Sequence, residues 1–291
     1  MIFEAVPNFS EGVREDVCRD LVATVASVPG VTIADLHVDP DHNRSVLTFL
    51  GNRDAVGEAA FLTAARAVER IDLTSHTGEH PRMGAIDVLP FVPLRGAVMA
   101  DAVALAGEVG ERIGTELHLP VFLYESAARD PERKNLADVR RPRFEGYRDL
   151  ANLRSDFGPN QVHPTAGCVA VGARPVLIAY NIDLETNEIR IAREIAREIR
   201  ESGGGFPGIK ALGLSIAGRG CAQVSMNVCD HRATGLREIF RAVRDRSENR
   251  GVGIRSSEII GLCPREALPE GVAEEIRLEG FRPEQVLESH L

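Results

Sequence analysis

The segment SHTGEHPRMGAID, residues 75–87, concentrates side chains that can do chemistry between a helix-like run and an apolar strand-like run. It holds two of the chain's eight histidines, together with Glu79, Arg82 and Asp87. Because a histidine titrates near neutral pH, His80 can accept and return a proton within one catalytic cycle. Either carboxylate can orient its ring, and the arginine can bind a carboxylate in bidentate fashion. The alternative is a solvated loop in which glycine and proline merely turn the chain.

A second polar cluster, DLHVDPDHNRS, occupies residues 35–45. Its histidines and acids, among them His37, Asp39 and His42, are numerous enough to bind a divalent metal, but their spacing matches no standard metal motif. The same residues suit a turn between two strands. We favour the wall of a substrate pocket, with Arg44 as an anion contact and His37 within the binding site, and expect no metal.

A third segment, SDFGPNQVHPTAG, covers residues 155–167 and joins the two halves of the chain. Glycine and proline at its ends predict a rigid backbone loop that a flat ligand can approach closely. An interdomain linker has the same composition, so the residues alone leave both interpretations open.

Composition excludes several classes of protein. The chain has 291 residues, a net charge of −9 and no apolar stretch as long as a membrane span. An acidic chain is a poor ligand for nucleic acid or an anionic membrane, so we expect small-molecule substrates held by local arginines. Five scattered cysteines without a C-x-x-C pair indicate reduced thiols, and with no signal peptide they predict the cytoplasm.

The order of predicted elements is β-α-β-β-α-β in each half of the chain. It predicts an α+β (α/β sandwich) fold of two tandem ferredoxin-like subdomains with antiparallel or mixed sheets, residues 1–174 and 175–291. The first helix is expected to begin after Ser10 as its N-cap. Residues 129–155 are charged, contain prolines and are expected to be irregular.

Seven stretches in colinear order resemble the glutamate formimidoyltransferase (formiminotransferase) family. They are VPNFSEG (6–12), DPDHNRSVLTFLG (39–51), HTGEHPRMGAIDVLPFVP (76–93), PVFLYESAA (120–128), SDFGP (155–159), VGARPVLIAYNIDL (171–184) and AQVSMNVCD (222–230). The resemblance runs from about residue 3 to the C-terminus.

The resemblance implies transfer of a formimidoyl group from N-formimidoyl-L-glutamate to tetrahydrofolate, a step of histidine degradation that gives 5-formimidoyltetrahydrofolate and L-glutamate. It implies tetrahydrofolate as co-substrate, no metal, a homodimer, and a single transferase activity without the cyclodeaminase of animal members. His80 of GEHP would be the catalytic base, with Glu79, Arg82, Arg44 and His37 near the substrates. The folate contacts would come from Gly158, Pro159, Asn160, Gln161, Val162, His163, Pro164, Thr165, Ala166 and Gly167.

Rival functions use the same residues differently. The chain can instead transfer a formyl group between 5-formyltetrahydrofolate and glutamate, or accept formimidoyl-glycine as donor. A folate-binding protein without turnover is a third possibility, although it would need no general base. A metal hydrolase would use His37, Asp39, His42 and His80 as ligands.

The weak ligand spacing around Asp39 and His42 leads to a first prediction. Dialysis against EDTA should leave the transferase rate unchanged, because the protonated formimidoyl group is already electrophilic and needs no Lewis acid. Initial rates before and after dialysis test this. Loss of activity that zinc or magnesium restores would favour the hydrolase-like metal site.

Overall fold

The structure, a computed structural model, describes residues 1–78 and 81–291 of the chain. The predicted site residues Glu79 and His80 lie outside the described residues. Clustering of the backbone gives two compact units, Met1–Pro175 and Val176–Leu291. Both are mixtures of helix and sheet, one with a mixed sheet and one with an antiparallel sheet, which confirms the predicted α+β fold.

Seven strands and the helices that follow them build the first unit within its described residues. The strands are β1 (Phe3–Ala5), β2 (Asn8–Phe9), β3 (Val31–Asp39), β4 (Arg44–Gly51), β5 (Ile86–Pro93), β6 (Val121–Glu125) and β7 (Val169–Ala173). The helices are α1 (Glu15–Ala26), α2 (Arg53–Arg70), α3 (Met99–Glu116), α4 (Leu136–Arg140) and α5 (Arg143–Arg148).

The first sheet extends a ferredoxin-like core. Strands β1 and β2 both pair antiparallel with β4 on one side and β5 on the other, and β3 pairs with β4. With α1 and α2, these strands form the predicted β-α-β-β-α-β unit. Helix α3 then crosses over to β6, and β7 inserts parallel between β5 and β6. The apolar run at 169–173 therefore completes the first sheet.

Helices α1, α2 and α3 cover one face of this sheet. Leu21, Val56 and Leu105 of the three helices pack in one buried cluster with Phe49 and Phe91 of the strands. Burial of each such side chain contributes about 1.5–3 kcal/mol, so this cluster is the main source of stability of the unit. This helix packing keeps the strands that carry the polar site residues in fixed positions.

The start of α1 differs from the expected cap. The helix begins at Glu15, and the Ser10 hydroxyl is buried and donates to the Gly84 carbonyl at 2.7 Å. The Glu11 carboxylate instead accepts the backbone N–H groups of Val13 and Arg14, at 3.0 and 2.8 Å. Ser10 was wrong as a cap because its hydroxyl is needed to join the chain after β2 to the segment before β5.

The other face of the sheet is partly covered by α4 and α5. Val139 and Tyr147 pack against Val88 and Phe122 in a second cluster, and the Tyr147 hydroxyl donates to the Val139 carbonyl at 2.6 Å. The region 129–155 thus contains short helices where an irregular excursion was expected. Charged residues predominate in this region, so its few packed apolar side chains form no pattern that predicts a helix.

The second unit is an antiparallel ferredoxin-like sandwich. It contains β8 (Ile178–Leu184), α6 (Ile189–Ile199), β9 (Ile209–Ile216), β10 (Cys221–Val228), α7 (Leu236–Glu248), β11 (Ile254–Ile260) and the short α8 (Val272–Glu275). The sheet order is β11-β8-β10-β9. Ile191, Ile195 and Ile199 recur every four residues on α6, so one helical face is buried against the sheet. Along residues 1–78 and 81–291, no helix is long and apolar enough to cross a membrane.

Two glycines of the predicted folate loop have structural reasons for being glycine. Gly158 and Gly167 have φ values of +81° and +73°. A Cβ atom on Gly158 would lie 2.6 Å from the Leu119 carbonyl oxygen, and one on Gly167 would lie 2.2 Å from the Met83 carbonyl oxygen. Both positions therefore need a left-handed backbone and no side chain, irrespective of any ligand.

We predict that Gly167→Ala destabilises the protein more than Gly96→Ala. Both glycines are left-handed, but a Cβ on Gly96 meets only ordinary contacts at 3.7 Å or more. The left-handed backbone should cost about 1–2 kcal/mol in each variant, and overpacking against the Met83 carbonyl should add about 1–3 kcal/mol to Gly167→Ala. Urea unfolding of both variants measures the difference, and equal losses would contradict it.

Candidate active site

Asp87 lies at a bulge where β5 meets β2. Phe9 pairs with Ile86 and Asn8 with Val88, so Asp87 is the extra residue on β5. A bulge turns a side chain away from the regular alternation of a strand. Here the buried Asp87 carboxylate accepts the backbone N–H of Met83 at 2.7 Å, which fixes the end of the segment 81–87.

Two arginines approach this carboxylate. Arg140 of α4 forms an ion pair with Asp87 at 2.6 Å and also donates to the Pro81 carbonyl. Arg44, at the start of β4, lies 4.0 Å from Asp87 and donates to the Asn8 side chain. Burial, together with the positive charge of Arg140, lowers the pKa of Arg44 to about 9, against the opposing attraction of Asp87. The Arg44 guanidinium stays charged at neutral pH, so two cationic side chains lie within 4.0 Å of the Asp87 carboxylate.

The turn between β3 and β4 holds an acid–histidine pair. The Asp39 carboxylate lies 2.6 Å from Nδ1 of His42 and accepts the His42 backbone N–H at 3.0 Å. Burial favours the neutral acid, but the hydrogen bonds from His42 outweigh it and lower the pKa of Asp39 to about 2. The ionised carboxylate keeps a ring proton on Nδ1, which fixes the tautomer of a neutral His42 ring with its lone pair on Nε2.

Asn43 joins this turn to the segment that leads into GEHP. Its backbone is left-handed, with φ +48°, a conformation that asparagine tolerates. Its side chain accepts the Gly12 backbone N–H at 2.8 Å and donates to the Thr77 carbonyl at 2.9 Å. Its own carbonyl lies 3.0 Å from Nε2 of His76. One residue thus positions three separate stretches of the first unit.

Arg82 ties the far side of the same segment to α5. One terminal nitrogen donates to Glu145 at 3.0 Å and to the His76 carbonyl at 3.1 Å. Its Nε atom is buried and has no hydrogen-bond partner within the described part of the chain. These contacts use one terminal nitrogen of Arg82, so its Nε and the other terminal nitrogen are the donors that remain for a bidentate contact with a carboxylate.

These groups line a small, partly open cavity within the first unit. Its lining residues are Phe9, Ser10, His42, Asn43, Arg44, His76, Arg82 and Asp87. Of the residues expected from the sequence, Arg44 and Arg82 meet here. His37 lies further along β3, opposite Val46, and does not belong to the described lining.

The loop 158–167 returns to the same segment at its far end. Thr165 accepts the backbone N–H of Leu73 at 2.8 Å, and Ala166 accepts that of Ala85 at 2.9 Å. Nδ1 of His163 accepts the Ala166 backbone N–H at 2.9 Å, and burial lowers the pKa of this ring. The neutral ring therefore carries its proton on Nε2 and presents a hydrogen-bond donor. Asn160, Gln161 and Pro164 are exposed, whereas Pro159 and Val162 are half-buried.

Several members of the site were not identified from the sequence. Asn8 and Arg140 were assigned no role, and His76 was counted without one. Asn8 and His76 stand inside the quoted stretches VPNFSEG and HTGEHP, which could have indicated them. Arg140 lies in a charged region without periodicity and offered no signal. Among the described residues, no group of three or more histidines, cysteines and acids could hold a metal ion.

Comparison with known families decides what the chain is. The formiminotransferase domain, N-terminal subdomain, matches residues 2–174, and the formiminotransferase domain matches residues 179–277. The chain belongs to the formiminotransferase family. This confirms the resemblance carried by the seven stretches.

Full-length relatives of this formiminotransferase come from distant microorganisms. Glutamate formimidoyltransferase of Streptococcus pyogenes serotype M1 is 45% identical over 294 residues, covering 100% of this chain and 98% of that protein. The protein of the same name from Thermoplasma acidophilum is 40% identical and covers 99% and 96% of the two chains. The formimidoyltransferase-cyclodeaminase of Mus musculus is 37% identical over 94% of this chain, which matches only 52% of the mouse protein.

Removal of the Asp87 carboxylate should destabilise the folded protein. We expect Asp87→Asn to lower the free energy of unfolding by about 1–3 kcal/mol, because the buried Asp87 carboxylate would lose its ion pair with the half-buried Arg140 and its attraction to Arg44. Asp54→Asn is the matched control, since Asp54 also lies 4.0 Å from an arginine, Arg53, but its side chain is 95% exposed. Urea unfolding at neutral pH measures both, and the control should be nearly neutral. Similar small losses in both variants would contradict the role of Asp87.

Proposed function

We propose that the protein transfers the formimidoyl group of N-formimidoyl-L-glutamate to tetrahydrofolate, forming 5-formimidoyltetrahydrofolate and L-glutamate. The names of its full-length relatives support this substrate pair. The observation that carries the proposal in the molecule is the half-buried Arg44, which lines a small polar cavity together with Arg82 and His76. Cationic side chains at a cavity wall are suited to an anionic donor.

The chemistry requires one proton to move twice. The N5 amine of tetrahydrofolate attacks the formimidoyl carbon, a C–N bond forms, and N5 loses its proton. The bond from that carbon to the glutamate nitrogen then breaks, and the departing amine gains a proton. We assign both transfers to His80, which can accept the first proton and return it. The protonated formimidoyl group needs no metal to be electrophilic.

The surroundings of GEHP support this assignment. The segment is held on its N-terminal side by the bond between His76 and Asn43, and on its C-terminal side by the contacts of Arg82 and Arg140. Precise placement of a general base against two substrates is a large part of catalysis, because it replaces entropy that would otherwise be lost in the transition state. Glu79 or Asp87 would orient the His80 ring. Asp87 is already committed to Met83 and Arg140, which favours Glu79.

Donor carboxylates would be held chiefly by Arg44. Its guanidinium is half-buried and charged, and it lies at the cavity wall. Arg82 would add the buried Nε donor that its structural contacts leave unpaired. His37 would act at a greater distance, since it lies outside the described cavity lining. This positive charge is confined to the site, because the net charge of the whole chain is −9.

Tetrahydrofolate would lie along the loop 158–167. His163 would offer its Nε2–H, and the exposed Asn160 and Gln161 would offer amide groups to the polar edges of the pteridine. The bonds of Thr165 and Ala166 to the chain around Leu73 and Ala85 keep this loop next to the GEHP segment. We further propose that the enzyme works in histidine degradation in the cytoplasm, as a homodimer.

The role of His80 is tested by His80→Ala. The substitution should lower kcat by roughly 10²–10⁴-fold and leave folate affinity nearly unchanged, because a general base is lost without loss of binding contacts. The rate is read from the acid-dependent absorbance of the methenyl product. His118→Asn is the control, since His118 is exposed and asparagine tolerates its left-handed backbone. More than half the wild-type rate in His80→Ala would refute the assignment.

A further inference from the structure

The ring of His76 has a defined protonation pattern. Its Nε2 lies 3.0 Å from the carbonyl oxygen of Asn43, and a carbonyl can only accept a hydrogen bond. Nε2 therefore carries the proton. In the neutral ring Nδ1 is left with a lone pair, so that atom can only accept. Burial and the positive charge of Arg82 lower the pKa of His76, so the ring is neutral at neutral pH.

That accepting nitrogen has no partner within residues 1–78 and 81–291, although it is buried. Buried polar atoms in proteins are nearly always hydrogen-bonded, and an exception calls for a partner from outside the fold. His76 lines the cavity that also contains Arg44 and Arg82. The cavity therefore combines cations for a carboxylate with one neutral acceptor for an N–H group.

The two donors under consideration differ at the atom that such an acceptor would contact. A formimidoyl group ends in nitrogen and presents N–H donors, whereas a formyl group ends in an oxygen that has only lone pairs. Nδ1 of His76 would accept a hydrogen bond from the formimidoyl group, whereas it would face only the oxygen lone pairs of a formyl group. A site that leaves its acceptor unpaired with one ligand discriminates strongly against it.

We propose that His76 is a specificity-determining residue that accepts a hydrogen bond from the formimidoyl N–H of the donor and so excludes N-formyl-L-glutamate. The inference rests on the proposed function and deepens it. It requires no further reactant, since His76 positions the donor and transfers no proton.

Two substitutions separate the two nitrogens of the ring. His76→Asn places an amide oxygen near the position of Nδ1 and loses the bond to the Asn43 carbonyl. His76→Gln lets an amide N–H reach that carbonyl but removes the acceptor at the Nδ1 position. A structural role would make the asparagine variant the more damaged of the two, whereas a role in specificity affects the glutamine variant.

The experiment compares kcat/KM for N-formimidoyl-L-glutamate and N-formyl-L-glutamate, using the full-length protein with tetrahydrofolate. Both folate products cyclise in acid to the same methenyl chromophore. N-formyl-L-glutamate is also titrated as a competitive inhibitor, which reports its binding without turnover. The preference for the formimidoyl donor should fall about 10–100-fold in His76→Gln, the loss expected for one hydrogen bond to a charged group. It should remain close to the wild-type value in His76→Asn, while thermal melts show that variant to be less stable.

The outcomes distinguish failure of the inference about His76 from failure of the proposed function. If the wild type does not transfer the formimidoyl group, the proposed function is wrong, and so is the role inferred for His76. If the wild type is active but His76→Gln keeps its preference, or loses activity with both donors equally, the inference alone is overturned. Loss of the preference in a folded His76→Asn protein would overturn it as well.

Discussion

A single buried carboxylate organises the first unit around its cavity. Asp87 leaves the regular alternation of β5 at a bulge and binds the Met83 amide, so the path of the chain between GEHP and the sheet is fixed by one side chain. The same carboxylate attracts Arg140 from α4 and Arg44 from β4. Asp87 is buried and the two arginines are half-buried, and removing charges from water costs several kcal/mol per ion unless geometry and hydrogen bonds compensate. Such an arrangement is therefore better understood as a device for position and charge than as a source of stability.

This arrangement also explains how an acidic chain can present a cationic site. Arg44 and Arg140 both lie within 4.0 Å of the buried Asp87 carboxylate, which concentrates cationic side chains in a part of the first unit that is only partly exposed to solvent. An interaction of given distance is stronger there than at the surface, because the surroundings are less polarisable. Arg82 differs from Arg44, because one of its terminal nitrogens donates to Glu145 and to the His76 carbonyl. The sequence alone could not distinguish Arg44 from Arg82, because both lie in polar segments.

Periodic patterns predicted the fold well, and tertiary contacts account for what they missed. The predicted β-α-β-β-α-β order is found in both units, because helix and strand patterns, such as isoleucine at every fourth residue of α6, depend only on neighbouring residues. The cap of α1 was assigned to Ser10 because nothing local shows that Gly84 uses its hydroxyl. The helices α4 and α5 were not predicted, because no local pattern shows the tertiary contacts that stabilise them. The glycines of the folate loop were noticed, but their packing against the Leu119 and Met83 carbonyls depends on strands far away in sequence.

The histidines near the cavity show how hydrogen bonds to one ring nitrogen determine the chemistry of the other. In His42 a carboxylate holds the proton on Nδ1, so the lone pair of the neutral ring is on Nε2. In His76 a carbonyl holds it on Nε2 and leaves Nδ1 as an acceptor, whereas backbone amides bind Nδ1 of His163 and leave Nε2–H as a donor. Identical side chains thus offer three different functions within one unit. Residue type and spacing identify where histidines lie, but only the partner of each nitrogen shows which of these functions a given ring can perform.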